Sequence, residues 1–188
     1  MTNIALFTGR FQPPTIAHTH TLEKILARWQ RVHIGVSDPS IPGTYDPQWE
    51  EFVQSSRSRF DGAKLVFTTG EVVSLWQAHV CHAGLADRVT CSGIPRPHLS
   101  IFSERFPSDS FDMVTMAPHP DDSDGDRVRH RLFPDLLRRE IFHVVPDLVL
   151  HNSDIRRRVS EGAEWSEFLT PGVLARFMEI EGPRRCAL

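Results

Sequence analysis

The chain has 188 residues, 40% of them hydrophobic and 24% charged, with a formal net charge of −3, which suits one α/β domain with a small C-terminal appendage and not two full domains. The acidic balance argues against broad nucleic-acid binding, which needs a basic surface to displace counterions. No apolar run approaches the roughly 20 residues of a membrane span, and Ile4 to Thr8 is only strand length, so neither a membrane anchor nor a secretory signal is expected and the chain reads as cytoplasmic.

Apolar, β-rich runs at Ile4 to Thr8, Val32 to Val36, Lys64 to Thr68, Arg88 to Cys91, Asp112 to Met116 and Ile141 to Val145 read as strands. Between them lie helical patterns: Leu22, Ile25, Leu26 and Trp29, then Val72, Leu75, Trp76, His79 and Val80. Strand alternating with helix predicts an α/β fold, a Rossmann-like doubly wound parallel sheet with helices on both faces. Ser37 to Pro47 reads as a loop, and Pro118 to Pro134, crowded with Asp and Arg, as a long irregular solvated segment. From Ser153 onward Ile155, Val159, Trp165, Phe168, Val173, Leu174, Phe177 and Ile180 predict a helical C-terminal part, residues 151–188, beside a core of residues 1–150; Pro171 suits the first turn of the last helix. Cys81, Cys91 and Cys186 have no CxxC spacing, which argues against a disulfide framework or a zinc site and predicts buried free thiols. The ten histidines show no metal-ligand spacing, so no protein-held metal is expected.

Gly9-Arg10-Phe11-Gln12-Pro13-Pro14-Thr15-Ile16-Ala17-His18 follows the first strand and precedes a helical pattern from about Thr19. Strand, glycine turn, His-bearing loop and helix make a phosphate-binding order, because a helix N-terminus leaves backbone N–H groups unpaired and carries partial positive charge.

That ten-residue segment resembles the GRFQPxHxGH segment of nicotinamide mononucleotide adenylyltransferases, within the wider nucleotidylyltransferase superfamily. His151-Asn152-Ser153-Asp154-Ile155-Arg156-Arg157-Arg158 is similar to the family's S-x-T-x-I-R segment opening a helix. Val73-Ser74-Leu75-Trp76 is similar to the Asn-Ser-x-Trp element of the archaeal-type enzymes, and Ser92-Gly93-Ile94-Pro95 to their Ser-Gly-Asn-Pro. Glu161-Gly162-Ala163-Glu164-Trp165 through Glu181-Gly182-Pro183-Arg184-Arg185 follows the same pattern, with an apparent insertion around Asp121 to Leu148.

The resemblance implies transfer of a nucleoside monophosphate from a triphosphate, CTP or ATP, to a phosphate or phosphonate acceptor with loss of pyrophosphate, and Mg²⁺ held mainly by the triphosphate. His18 and Thr15 would donate hydrogen bonds to the phosphoryl oxygens and Arg156 would grip the β- and γ-phosphates. Gly9, Arg10, Phe11, Gln12, Asn152 and Ser153 would bind the nucleotide; Trp76, Gly93, Arg57 (or Arg59), Arg96 and the Arg127 to Arg131 group would receive the acceptor. Four departures bear on that acceptor. Thr15 replaces the family's first His, Ala17 its Gly and Val73 its Asn, while the Asn-Pro-Phe-Thr-x-x-Glu-Arg loop has only a weak echo in Asp46 to Phe52, without the closing Arg. Losing an amide and a cation on the acceptor side predicts a changed acceptor. Such specialised relatives include the phosphonoformate cytidylyltransferase type of the phosphinothricin pathway, which the chain as a whole resembles; the alternatives are a nicotinamide mononucleotide adenylyltransferase and, against the retention of His18 with Ser153 and Arg156, a non-catalytic nucleotide sensor. Base preference and homo-oligomer formation stay open.

Overall fold

The computed structural model describes residues 2–37, 45–55, 66–96, 100–120 and 124–187. Five parallel strands, β1 (Ile4–Gly9), β2 (Arg31–Ser37), β3 (Val89–Ile94), β4 (Asp112–Met116) and β5 (Ile141–Val144), form one sheet in the order β3-β2-β1-β4-β5. This is the expected doubly wound α/β sheet, and its direction of winding reverses between β1 and β4. At such a reversal the helices leave on opposite faces and a crevice opens beyond the carboxyl ends of the strands.

Side-chain alternation sets the two faces. Ala5 and Phe7 of β1 join a core cluster with Val32, Ile34 and Val36 of β2, covered by α1 (Ile16–Leu26), α3 (Thr69–His82) and α7 (Pro171–Glu179) through Leu22, Leu75 and Phe177. Leu6 and Met113 face the other way, beneath α2 (Glu50–Ser55), α4 (Ser100–Arg105) and α5 (Asp124–Leu137) through Val53, Phe102 and Phe133. Two further helices, α6 (Asn152–Ser160) and α8 (Gly182–Cys186), complete the chain. Ile155, Val173 and Phe177 belong to the same core cluster as β1, so the C-terminal helices share the sheet's hydrophobic interior.

Of the strand expected at Lys64 to Thr68, residues 64 and 65 lie outside the described residues, and 66–68 are not a strand. Phe67's backbone bonds the Gln12 side chain instead of a neighbouring strand, and Thr68 caps α3 in a Thr-x-x-Glu box with Glu71. The expected irregular stretch Pro118 to Pro134 is helical from Asp124 on, because Phe133 and Leu137 give it an apolar face that packs beneath Trp49 and Phe52 of the opposite segment, while Arg127 and Arg131 are exposed. The apparent insertion at Asp121 to Leu148 therefore supplies α5 and β5, integral parts of the sheet layer. Pro171 does open α7, but α8 follows it, so α7 is not the last helix. Cys81 is exposed on the last turn of α3, beside the buried Val80, and Cys91 and Cys186 are partly buried. Most of the expected loop Ser37 to Pro47, together with Arg57 and Arg59, lies outside the described residues.

Candidate active site

β1 ends at Gly9, next to the winding reversal, so residues 9–18 lie at the crevice that the sheet order creates. A Cβ on Gly9 would sit 2.6 Å from Phe11 Cζ, so any side chain there would have to displace the buried Phe11 ring. Phe11, with φ of 47°, turns that ring inward, where it is buried edge-on against His18 at 5.1 Å and Trp76 at 5.1 Å between centroids. Phe11 thus supports the loop from below. Arg10 is half-buried beside it.

The histidine is not in the loop: Thr15 is the N-cap residue of α1, and His18 stands within the first turn. Its Nδ1 accepts the Thr15 N–H at 3.0 Å and lies 2.8 Å from the Thr15 hydroxyl. An Nδ1 that accepts carries no proton, so the neutral ring holds its proton on Nε2. Burial pushes the His18 pKa down to about 4, which keeps the ring in that neutral, donor-bearing form at ordinary pH. Thr15 is 0% exposed, with its hydroxyl directed to His18 and not into the crevice; it orients the ring.

The second motif meets the first. Ile155 is fully buried and anchors α6 in the core, and one residue on, Arg156 Nη1 donates to the Gln12 carbonyl at 2.9 Å. Contact across 144 positions of sequence brings a guanidinium onto the loop between β1 and α1. Partial burial draws the Arg156 pKa down from its ordinary value, and the group stays cationic at neutral pH. At the head of α6, Ser153 is exposed, while Asn152 Oδ1 is enclosed without a hydrogen-bond partner among the described residues. Gln12 itself is committed: its Nε2 donates to Phe67 O at 2.8 Å and its Oε1 accepts from Phe67 N at 3.0 Å, both buried. Its amide holds the lead-in to α3 and is not turned toward a nucleotide.

On the acceptor side the expected residues scatter. Trp76 is 0% exposed, enclosed by Phe7, Phe11 and His79, and presents no free ring face. Val73 packs partly buried against the core. Gly93, near the carboxyl end of β3, sits so close to α3 that a Cβ would lie 2.9 Å from Thr69 Cγ2. Arg96, just beyond β3, is 7% exposed. Arg127 is exposed and donates to Pro120 O at 2.8 Å; Arg129 pairs with Asp126 at 3.3 Å, and Arg131 with Glu51. Asp46 caps a short 3₁₀ turn, Pro47–Trp49, that leads into α2, and Trp49 is buried against Phe133. The weak loop echo is therefore a packed turn and helix on the second face of the sheet. Two residues that brace the lead-in to α3, Glu71 and Arg185, were not expected to matter. Thr68-x-x-Glu71 was the available signal for the first, and Arg185 had only its place in the C-terminal pattern.

Among solved structures, a bifunctional NMN adenylyltransferase/ADP ribose pyrophosphatase from Francisella tularensis matches the whole of this chain with a TM-score of 0.62 at 16% identity, and the same enzyme complexed with AMP and a manganese ion matches with 0.60 at 16%. This chain spans about half of each, 53% and 52%. A Vibrio parahaemolyticus protein provisionally described as a nicotinate-nucleotide adenylyltransferase matches with a TM-score of 0.60 at 18% identity, over 95% of this chain and 99% of that one. This chain has their fold. No protein-family model matches it, and no curated protein matches it by sequence. The shared fold places Gly9 to His18 and Arg156 on the carboxyl edge of a parallel sheet, where open α/β sheets bind their ligands.

Proposed function

We propose that this chain is a nucleotidylyltransferase that joins a nucleoside monophosphate, taken from a triphosphate, to a phosphate or phosphonate oxygen with release of pyrophosphate. The observation that carries this reading is the meeting of Arg156 with the Gln12 carbonyl, beside a His18 whose Nδ1 is held by Thr15. His18 has no free lone pair with which to act as a base, and its Nε2–H is a donor. An anionic acceptor needs no protein base; it needs a donor and a cation where charge gathers on the phosphoryl oxygens. His18 Nε2–H would serve the α-phosphoryl oxygens and Arg156 the β- and γ-phosphates, bidentately. Asn152, Ser153 and Arg10 are the nearby groups for the rest of the nucleotide. Among the described residues no group of three or more His, Cys, Asp or Glu could hold a metal ion. A divalent ion carried by the triphosphate oxygens suits that donor set, and one structural neighbour was crystallised with AMP and manganese. When bound, Mg²⁺ would neutralise phosphate charge.

For the substrates, the fully buried Trp76 and apolar Val73 favour a compact acceptor such as a small, multiply charged phosphonate over a nucleotide that must lay a base against an exposed ring. CTP as donor rests on the resemblance to the phosphonate-activating relatives. A second reading, ATP with nicotinamide mononucleotide, is favoured by the intact Arg10-Phe11-Gln12-Pro13 and by neighbours described as NMN or nicotinate-nucleotide adenylyltransferases. Steady-state kinetics with the two substrate pairs separate them. The compact-acceptor reading expects little or no NAD formation from ATP and nicotinamide mononucleotide. An efficiency there near the 10⁴ to 10⁶ M⁻¹s⁻¹ expected, to order of magnitude, of a native pair would overturn it.

A further inference from the structure

The C-terminal helix α8 reaches the site by a continuous series of contacts. Arg185 Nη2 donates to Val66 O at 2.5 Å, its Nη1 pairs with Glu71, and its guanidinium carbon lies 4.9 Å from the Phe67 ring centroid. One side chain thus holds Val66, just before Phe67, and Glu71, four positions after it. Phe67's own N–H and carbonyl are both bonded by the Gln12 amide, and the Gln12 carbonyl receives Arg156. Glu71, held by Arg185, also accepts the Thr68 N–H at 2.8 Å and the Thr68 hydroxyl at 2.9 Å. That fixes the first turn of α3, whose Thr69 lies against Gly93.

We propose that Arg185 is a positioning residue for nucleotidyl transfer, holding the lead-in to α3 so that the carbonyl on which Arg156 rests, and the α3 turn beside Gly93, keep their places. The proposal rests on the transferase reading above. Arg185 touches no reacting group; it acts through Phe67 and Gln12. Its neighbour Arg184 supplies the control, because Arg184 pairs only loosely with Glu181 at 3.4 Å and its side chain is 76% exposed. An exposed pair of that kind contributes about 0–1 kcal/mol. Arginine matters at 185 because its planar fork serves Val66 and Glu71 at once, which a lysine ammonium on a single stem does less well.

The test is turnover per folded molecule with the active substrate pair, alongside triphosphate binding without acceptor. Arg185→Met, which keeps the packing on Phe67, is expected to lower kcat about tenfold, within the range that a small misplacement of reacting groups costs. Triphosphate affinity should stay within about threefold, and Arg184→Met should have no effect. Gln12→Ala should lower kcat similarly, with the double variant no slower than the slower single one, because both cut the same series of contacts. Arg185→Lys should recover part of the loss. Turnover within about twofold of wild type in Arg185→Met, or losses that add fully with Gln12→Ala, would overturn the proposal. Should Arg185→Met fail to fold, Arg185→Lys decides: intermediate turnover supports the proposal and wild-type turnover defeats it. A wild-type protein that releases no pyrophosphate with any pair defeats the transferase reading itself, an outcome separate from any effect of Arg185.

Discussion

In the proposed transfer, replacing His18 by alanine removes the donor that would serve the α-phosphoryl oxygens. The ring contributes one Nε2–H donor, fixed because Nδ1 accepts the Thr15 N–H at 3.0 Å. Deleting one preorganised donor aimed at developing charge costs about 2.7–4 kcal/mol in the transition state, so kcat should fall roughly 10²- to 10³-fold while triphosphate affinity stays within a few-fold. The same change leaves the Thr15 N–H unpaired, at a cost of about 1–3 kcal/mol. For a chain of this size that lowers the melting temperature by about 2–4 °C per kcal/mol. The pH behaviour follows from the depressed pKa of about 4 against an ordinary 6.5. The folded state favours the neutral ring, so its contribution to stability is present above 6.5 and is lost as pH falls from 6.5 toward 4. Pyrophosphate release should therefore show no limb near 6.5 assignable to His18. The assay is pyrophosphate release for wild type and His18→Ala across about pH 5 to 8, with urea unfolding in parallel. Turnover of His18→Ala within about threefold of wild type, or a wild-type limb near 6.5 that the mutation removes, would refute the role assigned to this ring.

Arg156→Ala should raise the triphosphate KM roughly ten- to a hundredfold, the range of a lost charge-assisted hydrogen bond, with Arg156→Lys restoring part; initial rates at varied triphosphate check it. The Glu71 carboxyl is held at about 2, against an ordinary 4.5, mainly by its hydrogen bond from Arg185, so its contribution to stability is present above 4.5 and lost as pH falls toward 2; urea midpoints should show this slope in wild type and a smaller one in Glu71→Gln. Gly172→Ala would place a Cβ 2.5 Å from Ala78 O and force α7 from α3, so thermal unfolding should report a loss of about 1–3 kcal/mol.

What the sequence revealed and concealed divides along physical lines. A period-two run of Val and Ile marked β2 and short apolar runs marked β4 and β5, while the segment Gly9 to His18 stood out because glycine, cation and histidine follow a strand in a short span. Lys64 to Thr68 misled because a short apolar run is ambiguous: Val66 and Phe67 are packed inside without belonging to a strand. In α5 the density of Asp and Arg masked Phe133 and Leu137, the apolar contacts that make it a helix. For Trp76 helical spacing could not separate a core ring from a ligand platform, and burial resolves it as core. Gln12 looked like a nucleotide ligand because its use by the Phe67 backbone, 55 positions away, leaves no local trace.

The most direct test of nucleotidyl transfer is a grid of the four nucleoside triphosphates against nicotinamide mononucleotide and a few small phosphonates, read by pyrophosphate release with the product identified by mass spectrometry. Acceptor-dependent release is expected for at least one pair, best with CTP and a compact phosphonate, and should fall roughly 10²- to 10³-fold in His18→Ala. Tight triphosphate binding with no acceptor-dependent release from any pair would contradict nucleotidyl transfer and leave a nucleotide-binding module in its place.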